Sequence, residues 1–76
     1  MKELTDKLII TFPTTMAAIA MEGACTEDGA PGRLIPVPTK ISAGCGMCWC
    51  AELADEEEVC EVLSRHGLVF EGIHHI

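Results

Sequence analysis

The fold turns on the stretch Met47-Cys48-Trp49-Cys50-Ala51-Glu52-Leu53 and on the run Asp55-Glu56-Glu57-Glu58 that follows it. In an extended chain alternate side chains face opposite ways. Met47, Trp49, Ala51 and Leu53 therefore share one face and suit a core, while Cys48, Cys50 and Glu52 share the other. The alternation predicts a strand over residues 47–53. The acidic run then opens a helix: Asp55 is a good N-cap, Glu58 stands where it completes a capping box, and three acids favour the positive helix end. Val59, Val62, Leu63 and His66 mark one face at helical spacing, and Arg65-His66-Gly67 supplies a C-terminal signal. The helix accounts for its acids without any metal or substrate. Cys60, beside the apolar stripe, is expected to be buried.

Working outward, Val69-Phe70-Glu71-Gly72-Ile73-His74-His75-Ile76 reads as a terminal strand. Adjacent histidines in a strand face opposite ways, so His74 and His75 do not reach one metal together. Upstream, Thr39 to Gly44 reads as a loop longer than a tight hairpin. Before it, Arg33-Leu34-Ile35-Pro36-Val37-Pro38 is a strand interrupted by proline, which cannot donate to the ladder and so belongs at a sheet edge. Turn residues Thr26 to Gly32 separate it from Met16-Ala17-Ala18-Ile19-Ala20-Met21-Glu22, a run of good helix formers capped by Thr14 or Thr15 and ended by Gly23 or Gly29. That helix lacks a clear polar face, since Glu22 is the one charge between Met16 and Cys25, and the face is open to a partner. Cys25 reads as a small core residue. Lys7 to Phe12 is the first strand, stopped by Pro13.

Strand, helix, strand, strand, helix, strand is the split-βαβ pattern. The expected fold is α+β and ferredoxin-like (βαββαβ): a four-stranded antiparallel sheet with both helices on one face, forming a single domain over residues 1–76.

Composition limits what such a domain does. A net charge of −7 with five scattered Lys and Arg argues against nucleic acid, which is bound through clustered cations, and gives no attraction to anionic lipid. The start Met1-Lys2-Glu3-Leu4-Thr5-Asp6-Lys7 is too charged for a signal peptide, and no apolar run approaches the ~20 residues of a membrane helix. A cytoplasmic protein with reduced thiols is the simplest expectation, and five cysteines do not pair completely. With 49% hydrophobic residues on so short a chain, part of the surface is expected to be covered, for instance in a homodimer.

The chemistry concentrates in Ser42-Ala43-Gly44-Cys45-Gly46-Met47-Cys48-Trp49-Cys50, where three thiols fall within six positions. Such thiols act as nucleophiles, disulfide partners or ligands. Cys45, Cys48 and Cys50 together suit Zn, Cu(I) or an iron–sulfur cluster, with a histidine or second subunit completing the set. Cys48 and Cys50, about 6.5–7 Å apart at Cα in a regular strand, are too far apart for an unstrained disulfide.

Taken together, Ile10-Thr11-Phe12-Pro13-Thr14-Thr15, Arg33-Leu34-Ile35-Pro36-Val37-Pro38, Ile41-Ser42-Ala43-Gly44-Cys45-Gly46 and Phe70-Glu71-Gly72-Ile73 resemble a small family of sulfur and selenium carrier-like proteins. The resemblance implies that Cys45, in the Ser-x-x-Cys-Gly motif, is the carrier thiol. It assigns no role to Cys48 or Cys50, where similar proteins continue with apolar or basic residues. In this reading Gly44 and Gly46 give access to Cys45, Gly46 and Met47 N–H groups and Lys40 stabilise its anion, and Cys48 is a resolving thiol. The partners are a sulfur or selenium donor protein and an acceptor enzyme. The chain is then a carrier or binding protein rather than a stand-alone enzyme.

Overall fold

A computed structural model of the chain describes residues 7–37 and 46–75. They form β1 (Lys7–Thr11), α1 (Thr15–Asp28), β2 (Arg33–Pro36), β3 (Met47–Glu52), a 3-10 turn (Leu53–Asp55), α2 (Glu56–His66) and β4 (Gly72–His75). The strands make one sheet in the order β2-β3-β1-β4, and every neighbouring pair is antiparallel. This is the ferredoxin-like α+β arrangement, with the proline-bearing β2 at an edge.

One face of the sheet carries the core. Leu8, Ile10 and Phe12 from the first strand and its exit, with Trp49 and Ala51 from β3, pack against Ala18, Met21, Ala24 and Cys25 of α1 and Val59, Val62 and Leu63 of α2. Both helices thus lie on that face. Met21 is the largest fully buried side chain that α1 supplies, the rest of its contact surface being small residues. Its outer side leaves Met16 and Ile19 exposed, at 78% and 57%.

The helices end as the glycines dictate, although α1 runs past Gly23 to Asp28. Gly29, at φ +70°, donates its N–H to the Thr26 carbonyl while Ala30 donates to that of Cys25. Gly67, at φ +61°, and Leu68 repeat the pattern on the Ser64 and Leu63 carbonyls. Paired bonds of this kind satisfy the last carbonyls, and the left-handed residue they require is most readily glycine. At the start of α1 the Thr14 hydroxyl accepts from the Ala17 N–H at 3.1 Å.

Four local expectations are corrected. The capping box at Asp55 and Glu58 does not form: Asp55 closes the 3-10 turn at φ −99°, ψ 8°, outside the extended conformation that aims a cap at the helix N–H groups, and its side chain makes no capping bond. Leu53 belongs to that turn, because β3 is paired only as far as Glu52 opposite Lys7. β4 begins at Gly72, not Val69. Leu68 completes the helix stop, and β1 offers partners only from Leu8 to Thr11. The second strand ends at Pro36, and Pro38 lies outside the described residues.

Candidate functional site: the thiols of the third strand

The β3 register places the sulfurs. Cys48 stands opposite Thr11 on β1 and Ile35 on β2, and Cys50 opposite Ile9 and Arg33. All six side chains share the sheet face away from the helices, as the alternation in β3 requires. Cys48 is nonetheless fully buried, its Sγ 4.0 Å from the Pro36 carbonyl oxygen. Cys50 is half-buried.

Cys45, Lys40 and Gly44, assigned from sequence as carrier thiol, supporting cation and access glycine, lie outside the described residues. The frame on either side is described. Val37 donates its N–H to the Gly46 carbonyl at 3.1 Å, so the two ends of the β2–β3 connection meet. Gly46 is exposed at φ +77°, a left-handed conformation that suits glycine and that recurs where successive N–H groups converge on an anion.

The remaining thiols are graded by their surroundings. Burial, reinforced by the Asp28 and Glu58 carboxylates, pushes the Cys25 thiol from 9.0 up to about 11. Burial and then Glu56 also push Cys60 up. Cys60 is half-buried rather than part of the core, because it sits at the side of the Val59, Val62 and Leu63 stripe.

His66 and His75 stand apart from the sulfurs, while His74 lies on the sheet face of Cys48 and Cys50, separated from Cys50 by Ile9 of β1. His66 Nε2 lies 3.0 Å from Asp28 Oδ2, which also takes Arg65 Nη1 at 2.8 Å. These contacts tie the C-terminal ends of the two helices together. His75 Nε2 lies 3.1 Å from Glu56 Oε2, whereas His74 faces the other way, paired across from Ile9. Among the described residues no three His, Cys, Asp or Glu side chains converge on a common point where a metal would sit. The sequence-derived trio needs Cys45 and so extends beyond them.

A cleft of about 330 Å³, missed by sequence reasoning, opens at the end of β3 beside Cys50 and is bordered by Lys7, Gly32, Arg33, Glu52 and Asp55. Lys7 is ion-paired with Glu52. That hydrogen bond, with smaller help from the Cys50 sulfur, holds the Lys7 ammonium above its usual range. Arg33 and Asp55 meet at this cleft through the β2–β3 register and the 3-10 turn after β3, neither of which is visible in a linear pattern.

Fold and site together define a small ferredoxin-like domain with two thiols of an inner strand on the sheet face away from the helices, Cys48 buried and Cys50 half-buried. The chain belongs to a family described as "Putative Se/S carrier protein-like", whose model matches residues 7–75. No curated protein and no solved structure matches it. No described helix is long and apolar enough to cross a membrane.

Proposed function

We propose that the chain carries sulfur or selenium on Cys45 as a persulfide or selenopersulfide. The observation that carries this reading is the family match over residues 7–75; within that span we take Cys45, in Ser42-Ala43-Gly44-Cys45-Gly46, as the carrier thiol. The left-handed conformation of Gly46, at φ +77°, supports it as a conformation that recurs in anion-binding turns. In loading, the Cys45 thiolate attacks the outer chalcogen of a donor protein's persulfide. The new bond forms as the donor's thiolate leaves with the electron pair of the old one. An acceptor enzyme's nucleophile then takes the outer atom and returns Cys45 as thiolate. Cys48 offers an alternative exit: its attack on the inner sulfur releases hydrosulfide and leaves a Cys45–Cys48 disulfide, which a cellular dithiol reduces. This exit requires β3 to expose Cys48 first, since it is fully buried. Lys40, five positions before Cys45 in the sequence, is the cation assigned to support the anion, and a reducing compartment, the cytoplasm, keeps the thiols available. The test is loading from a persulfide donor: Cys45→Ser abolishes it, whereas Cys60→Ser leaves it intact. Equal loading of the two variants overturns the reading.

A second reading is favoured by the shared face of Cys48 and Cys50. With Cys45 these thiolates make a soft-ion module for Zn, Cu(I) or an iron–sulfur cluster. Substituting any one of the three then lowers the metal content of protein purified without oxygen. Metal-free protein throughout rules this reading out.

A further inference from the structure

We infer that the cleft beside Cys50 is a binding and exchange site for small zwitterionic disulfides of the amino-acid type. It is distinct from the Cys45 motif and independent of the carrier reading. The cleft brings together a thiol and two charged groups that it leaves unpaired. Arg33 and Cys50 are directly opposite one another in the β2–β3 register, which sets their Cβ atoms about 4.5–5.5 Å apart on one face. Across the same cleft stands Asp55, whose carboxylate would ordinarily cap α2 and here does not. Among the described residues neither Arg33 nor Asp55 has a side-chain hydrogen bond or ion pair. The other two charges, Lys7 and Glu52, are ion-paired with each other. One cation, one anion and a half-buried thiol therefore face a single small volume.

That set complements one ligand chemistry. A guanidinium recognises a carboxylate through parallel N–H bonds, and an aspartate accepts from an ammonium. A thiol engages sulfur. An α-amino acid whose side chain ends in a disulfide presents all three groups, and about 330 Å³ is at the small end of the range for ligand sites. A dianion would face Asp55, and a dication would face Arg33, so a zwitterion is preferred over either.

The exchange balances without a further reagent. The Cys50 thiolate attacks one sulfur of the disulfide and a new sulfur–sulfur bond forms to the bound half. The old bond breaks, and its electron pair leaves on the other half, which takes up the proton Cys50 released. Cys50 is oxidised to a mixed disulfide, and one amino-acid thiol is released reduced.

The test uses the reduced full-length chain with three probes: cystine, the diamine cystamine, and the diacid 3,3′-dithiodipropionate. Adducts are mapped by peptide mass spectrometry. Each rate at Cys50 is divided by that of the same cysteine in the urea-unfolded chain, which removes the intrinsic reactivity of the probe. The normalised rate for cystine is expected to exceed both others roughly fivefold, the upper size of an exposed charge-pair effect. Arg33→Ala should lower the cystine rate by a similar factor, and Asp55→Asn, which keeps a residue competent to start a helix, should do the same. Cys60 should show no preference for cystine. Normalised rates within twofold for the three probes, or unchanged cystine rates in both variants, overturn the proposal. Unchanged Trp49 emission confirms that each variant is folded.

Discussion

Replacing Gly32 by alanine should be among the most damaging single changes in the chain. Gly32 connects α1 to β2 at φ +118°, where an L side chain is strained by about 1–3 kcal/mol. A Cβ there would lie 2.7 Å from Trp49 Cε2 and 2.8 Å from the Cys50 carbonyl oxygen, and would also press on Trp49 Nε1. None of these yields easily: one is backbone, and the indole is buried and bonded through Nε1 to the Pro31 carbonyl at 3.2 Å. Overpacking of this kind costs typically 1–3 kcal/mol. Displacing the indole leaves a buried donor unsatisfied, at about 1–3 kcal/mol. The contributions overlap, so a loss on the order of 3–5 kcal/mol is expected, a large share of the roughly 4–11 kcal/mol available to a domain of this length. Trp49, the one tryptophan in the sequence, reports directly. Urea titrations followed by its emission should show the midpoint of Gly32→Ala falling sharply, with a changed native spectrum. A loss below about 1 kcal/mol with unaltered emission would refute the packing described for this corner.

Further outcomes follow from the same geometry. Met21→Ala should cost about 2–5 kcal/mol in urea titration, because Met21 is the largest side chain α1 buries and its small neighbours cannot refill the space. Hydrogen bonds from His66 and then Arg65 hold the Asp28 carboxyl below its usual range. Its contribution is therefore present above the unfolded value near 3.9 and lost as pH falls through the lower folded value. An acid titration of Asp28→Asn, which lacks that contribution, should show a shallower loss of stability below about pH 4. The Cys25 thiol is raised to about 11, so its contribution is intact below 9.0 and declines as pH rises between the two values. Cys25→Ala should flatten that alkaline decline, read by Trp49 emission. Alkylation of the native chain at neutral pH, mapped by peptide mass, should leave Cys25 and Cys48 unmodified, as both are fully buried.

Much of this architecture is legible in the sequence because it depends on local periodicity. The alternation in Met47 to Glu52 fixes which β3 side chains enter the core, the Val59, Val62 and Leu63 stripe orients α2, and Pro36 sends β2 to the edge. What escapes is decided by partners distant in sequence. Asp55 carries every sign of a cap, yet the 3-10 turn imposed where β3 loses its partner rotates it away. Gly23 is a possible helix stop, but burial of Ala24 and Cys25 carries α1 onward. The alternation puts Cys48 on the face away from the helices without revealing that it is fully buried there. The cleft at Cys50 depends on the β2–β3 register, which no single segment encodes.

The carrier reading is tested most directly by intact mass under native conditions, with elemental analysis, on protein purified without oxygen or added thiol. The account predicts a labile increment of one sulfur or selenium atom, mapped to Cys45 and absent from Cys45→Ser. Stoichiometric Zn, Cu or Fe that is lost when Cys45, Cys48 or Cys50 is substituted, with no chalcogen increment on any cysteine, would contradict it.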